Sequence, residues 1–123
     1  MKKKIMQASV TVALISSLSA MPAFAAIDYN ASLNTLLSSL GGSTVTAEAS
    51  ATSAHEDLKK INLNVVLKTG TKTITDDVKS GNPTADWIRQ GLDSSKSHTL
   101  NAAVRSYYTD GTSSDQIYSS SSW

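Results

Sequence analysis

His55 and His98 are the only two imidazoles this chain can bring to a reaction. A zinc-protease helix needs a second histidine one turn further on, and His55-Glu56-Asp57-Leu58-Lys59 has none. Even if His98 met His55 in space, a metal would lack ligands, with Glu56 and Asp57 as the only local additions. Serine hydrolysis needs a hydroxyl, an imidazole and a carboxylate in succession. With so many serines, nearness of one to a histidine carries no specificity, and no G-x-S-x-G elbow surrounds either. Both histidines are therefore expected to be solvated surface residues. The carboxylate pairs Glu56-Asp57 and Asp76-Asp77 are adjacent, so on a helix they point about 100° apart and make a poor acid/base couple. Asp76-Asp77 opens no calcium loop. Gly41, Gly42, Gly70, Gly81, Gly91 and Gly111 form no phosphate cradle and read as breaks between elements. The chain has no cysteine, hence no thiolate chemistry. The sequence assigns no catalytic, cofactor-binding or metal residue, and the expectation is a non-enzyme. A hydrolase using His55 or His98 is the second alternative.

The N-terminus carries a clearer message. Lys2, Lys3 and Lys4 precede an uncharged stretch from about Ala8 to Ala20, then Met21-Pro22 and Ala23-Phe24-Ala25. This is a charged region, a short apolar region and an A-x-A cleavage site, the plan of a secretory signal over residues 1–25. The apolar run is shorter than the roughly 20 residues a membrane helix needs. Export would leave residues 26–123, one small domain, in the periplasm or outside the cell. Losing three lysines takes the 11 basic residues to 8 against 10 acidic ones, a net charge of −2. That balance argues against nucleic acid and against anionic membrane surfaces as partners after cleavage.

The elements are read from apolar spacing. Leu33, Leu36, Leu37 and Leu40 fit one helix face over residues 30–40, stopped by Gly41-Gly42. Ala47, Ala51, Ala54, Leu58, Ile61 and Val65 form a heptad-like seam between Thr44 and Lys68. Asn82-Pro83 suits a helix start with Trp87, Ile88 and Leu92 buried, and Leu100, Ala103, Val104 and Tyr107 suit a helix from Ser97 to Tyr108. Residues 112–123, rich in serine, read as a flexible tail. The predicted fold is mainly α, a three- to four-helix domain over 26–111 with a disordered Ser-rich C-terminal tail. The alternative is α+β, because Ile61, Leu63, Val65 and Leu67 alternate and could form a hairpin over 61–78.

Leu36 to Gly42 resembles the double-glycine leader of small bacterial toxins, and Ser119 to Trp123 resembles the Ser-rich end of some microcins. A secretory signal already supplies export, and the chain lacks their glycine richness. A secreted toxin or peptide effector is thus the first alternative. The terminal Trp123, with Tyr118 behind it, resembles the last residue of an outer-membrane barrel, for which this chain has too few alternating segments. The preferred expectation is an exported soluble protein acting by protein–protein contact. Its contact surfaces would be the 47–65 seam or the C-terminal aromatics Tyr107, Tyr108, Tyr118 and Trp123.

Overall fold

Val45, Ala47, Ala49 and Ala51 are all buried, and so are Ile61, Leu63, Val65 and Leu67, and Leu100, Ala102 and Val104. That is a period of two, the signature of a strand with one face on a core. The computed structural model describes residues 5–6 and 26–123; apart from Ile5 and Met6, the predicted signal lies outside the described residues. The strands are β1 (Ile5–Met6), β2 (Ala31–Ser38), β3 (Thr44–Ser53), β4 (Leu58–Thr69), β5 (Lys72–Gly81), β6 (Thr84–Asp93), β7 (His98–Tyr108) and β8 (Ile117–Ser122).

Seven of them, β2 to β8, build a sandwich of two antiparallel sheets, in the orders β2-β3-β6 and β5-β4-β7-β8; the two-residue β1 sits on the outer edge of β2. The fourth strand of the sandwich, β5, thus pairs with the third, β4, rather than with the fifth, β6. Leu33 and Leu37 of the first sheet face Ile61, Leu63, Val65, Leu67, Leu100 and Val104 of the second, all essentially inaccessible to solvent. Burying each such side chain is worth about 1.5–3 kcal/mol. Trp87, Leu92 and Ile117 complete the core.

The helical domain is overturned: the described residues contain no helix. Leu33 and Leu37, and Ala47 and Ala51, lie four apart, a spacing that satisfies both a helix and a strand. Leu40 decides the first case, because it is 86% exposed on the turn after β2. Ala49, between Ala47 and Ala51, is buried as well, as only a strand allows. Ile61, Leu63, Val65 and Leu67 do enter a hairpin, β4 to β5, but inside an all-β molecule rather than an α+β one. Asn82-Pro83 starts no helix; it forms a cis peptide in the β5–β6 turn, and the Asn82 amide donates to the carbonyls of Leu58 and Lys59. Gly81 has no room for a side chain there, since a Cβ would meet the Thr84 carbonyl. The tail is not disordered either. Ile117, Ser119 and Ser121 of β8 point inward, and Trp123 packs against the core with its Nε1 donating to the Ser94 carbonyl at 3.0 Å.

Candidate functional site

One end of the sandwich gathers the residue types that hydrolysis uses. Asp28 lies just before β2, Ser53 ends β3, His55 sits in the loop before β4, and Ser106 and Tyr108 end β7. Asp28 is 5% exposed and accepts three hydrogen bonds: from the Ser53 hydroxyl at 2.8 Å, the Ser106 hydroxyl at 2.6 Å and the Asn30 N–H at 2.9 Å. Burial is the largest single influence on its pKa and pushes upward. The hydroxyls of Ser106 and Ser53, the Asn30 N–H and the nearby His55 charge together outweigh it and hold the carboxyl below its ordinary value. Burial and the Asp28 charge raise the Tyr108 phenol, although its bonds to Ser114 and Ser106 oppose the shift.

The order of these groups is wrong for nucleophilic catalysis. A triad places imidazole between hydroxyl and carboxylate, so that the imidazole takes the proton. Here both serine protons go directly to the carboxylate. His55 lies to one side, its Nδ1 accepting the Asp57 N–H at 3.0 Å, which leaves its neutral form protonated on Nε2. Its ring lies on Tyr108, with centroids 4.3 Å apart. A carboxylate engaged by three donors is a weak base. The cluster is a pin that ties the start of the domain to β3 of one sheet and β7 of the other.

His98 departs from the solvated expectation. It is 2% exposed, and both ring nitrogens are engaged, Nδ1 with the Thr69 hydroxyl at 2.9 Å and Nε2 with the Asp93 carbonyl at 2.8 Å. A carbonyl only accepts, so Nε2 carries a proton and the neutral ring accepts from Thr69 at Nδ1. His98 also exchanges backbone hydrogen bonds with Trp123. It lies at the opposite end of β7 from His55 and Asp28, so the two histidines do not meet. Asp77 accepts the Trp87 indole N–H at 2.6 Å. Glu56 and Asp57 occupy the β3–β4 loop, where the Asp57 carbonyl accepts from the Thr109 N–H. Among the described residues no three His, Cys, Asp or Glu side chains group as metal ligands.

Two surface features stand apart from these locks. A cleft of about 310 Å³ is lined by Lys59, Lys60, Asn62, Tyr107, Tyr108, Gly111 and Thr112, and Lys60 Nζ lies 5.3 Å from the centre of the Tyr107 ring. Beyond it, the outer face of β5-β4-β7-β8 carries a continuous row, Val78, Asn64, Ala103 and Tyr118, with Asp76, Val66, Asn101 and Ser120 alongside. Val78 is 59% and Tyr118 51% exposed. Arg105 belongs to the same face, and its Nε is buried without a hydrogen-bond partner. Of the 47–65 seam, Ala47, Ala51, Ile61 and Val65 are core, whereas Ala54 is exposed and Leu58 half-buried. Sequence reasoning missed the Val78–Tyr118 row, since the register that aligns four strands is not visible in any one of them. Comparison with protein-family models, with curated proteins and with solved structures returned no match.

Proposed function

We infer that residues 26–123 are an exported, non-enzymatic sandwich that works by contact with another protein through the outer face of β5-β4-β7-β8. The observation that carries this reading is the row Val78–Asn64–Ala103–Tyr118, which runs across all four strands with Val78 and Tyr118 exposed at its two ends. Tyr and Asn supply contact area and adaptable hydrogen bonds at modest ordering cost. The rival chemistry finds little support: Ser53 and Ser106 give their protons to a buried carboxylate, and both nitrogens of His98 are occupied. The effector reading loses its processing site, because Gly41 and Gly42 form the β2–β3 turn at positive φ and a cut there would remove core residues Leu33 and Leu37.

The test is a photo-crosslinking residue at position 118 or, as control, at position 48 on the outer face of the other sheet, in cells making the full chain. The expected result is a discrete adduct with a different protein from position 118 alone, lost when Val78→Ser is added. Adducts from both positions or neither would overturn it. Intact mass of the exported chain should begin at Ala26; a full-length mass would overturn the export part. Killing of related cells by the culture medium would favour the effector instead.

A further inference from the structure

Among β2 to β8, the four strands at the sides of the sandwich are built in two different ways. On one side, β5 carries Lys72, Asp76, Asp77 and Lys79, and β6 carries Asp86, Arg89 and Asp93. Each also holds an extra residue in its ladder. Leu67 pairs with Thr75 and Lys68 with Thr73, which leaves Ile74 over on β5. Val45 pairs with Leu92 and Ala47 with Arg89, which leaves one over on β6, beside Gly91 at φ 79°. Charges and bulges are the devices that stop a sheet edge from pairing with another chain. On the other side, β2 is Ala-Ser-Leu-Asn-Thr-Leu-Leu-Ser: eight residues without a charge or a proline, in unbroken register with β3. This edge already holds a strand, since Ile5 and Met6 pair antiparallel with Ser38 and Leu37.

We propose that the outer edge of β2 is a strand-addition site and that its occupant is the β2 edge of a second copy of this chain, antiparallel across a two-fold axis. The two three-stranded sheets then become one six-stranded sheet, β6-β3-β2-β2-β3-β6. Self-pairing suits this edge because β2 carries no charge that its copy could repel, and like charges directly opposite each other are unfavourable. The pleat fixes the register. Directly opposite residues share a face, so at the axis a residue stands opposite its own copy. The middle of β2 puts that axis at Asn34 or Thr35. Asn34 is exposed on the outer face and Thr35 is buried beneath. Ile5 and Met6 belong to the predicted signal, so the edge opens to a second copy when the signal is removed. The proposal rests on the export reading in that respect only, and the intact mass of the exported chain reads that step separately.

Because β2 to β8 lie wholly within residues 26–123, that chain is the one to test by sedimentation over a concentration series. The expected result is a concentration-dependent doubling of mass, lost in Asn34→Lys, which sets like charges near the axis, and kept in Gln90→Lys on the β6 edge. Circular dichroism and melting temperature of Asn34→Lys should match those of the parent at dilutions where the parent is monomeric, since the position is exposed. The chain has no cysteine, so Asn34→Cys gives a second measurement. Mild oxidation should link two copies through residue 34, whereas Gln90→Cys should stay unlinked. A parent chain that is monomeric throughout, or an Asn34→Lys variant that still doubles, would overturn the proposal.

Discussion

The two sides of the sandwich are closed by different chemistry. Where β6 meets β5, the link is charged and aromatic: the Trp87 indole donates to Asp77 at 2.6 Å, and Arg89 donates to the Thr75 hydroxyl at 3.0 Å. Where β2 meets β8, it is hydroxyl on hydroxyl: Thr35 lies 3.0 Å from Ser119 and 2.8 Å from Ser121, and Ser121 also donates to the Thr35 carbonyl at 3.1 Å. The first side is bulged and charged. On the second, both ladders are regular and neither strand bears a charge. A small core can be sealed by either means. Only the hydroxyl means leaves its strands without charges or bulges.

Deleting residues 112–123 should break the comparison outright. It removes Ile117 from the core, Trp123 from its packing and both partners of Thr35. The expected loss is about 4 kcal/mol or more, a large part of what a domain of this size has, and thermal melting should lose its cooperative transition. A tail that merely dangled would leave melting unchanged.

Asp28→Ala acts on both sheets, through Ser53 of β3 and Ser106 of β7, and serves as the reference. It strands two buried serine hydroxyls, at about 1–3 kcal/mol each, so chemical denaturation should show the midpoint falling with the slope unchanged. The pH dependence has a fixed sign. The folded-state pKa of Asp28 is depressed from 3.8, so its contribution is present above the unfolded value and drains away as pH falls through the folded one. Asp28→Asn should flatten that acid limb, so that stability falls less on acidification below about pH 4.

A matched pair sharpens the contrast between sides. Thr35→Val removes the hydroxyl links to β8 and should cost about 1–3 kcal/mol, because Ser119 and Ser121 stay buried. Asp77→Ala removes the acceptor of the Trp87 indole and should cost less, because that link is only part-buried and β5 is the more exposed strand. Equal losses in denaturant titrations would mean that the sides are not different in kind. The smallest effect on stability belongs to Lys79→Thr, within about 0.5 kcal/mol. Light scattering should nonetheless show this variant more prone to associate, since one guard of the β5 edge is gone.

Part of this was legible in the chain. Ile61-x-Leu63-x-Val65-x-Leu67 announces a strand, and Thr69-Gly70-Thr71 announces its turn. Leu33 and Leu37 were legible as sharing one apolar face, and Ala47 and Ala51 as sharing one seam; their spacing of four could not say in which element. Val45-x-Ala47-x-Ala49-x-Ala51 held the deciding signal, which a helical seam through Ala47, Ala51 and Ala54 passes over. β8 was beyond local reading, because a Ser-rich segment becomes a buried strand only when Thr35, more than eighty residues earlier, supplies its hydroxyl partner. The Asp28 pin is hidden for the same reason: its donors lie 25 and 78 residues away.

The measurement that bears most directly on the unequal sides is backbone hydrogen exchange of residues 26–123 at two widely separated protein concentrations. Amides of Ala31–Ser38 that do not pair with β3 should exchange slowly in the concentrated sample and quickly in the dilute one, while the outer edges of β5 and β6 exchange alike in both. Exchange along β2 that is independent of concentration, or protection that rises equally on both sides, would contradict the account.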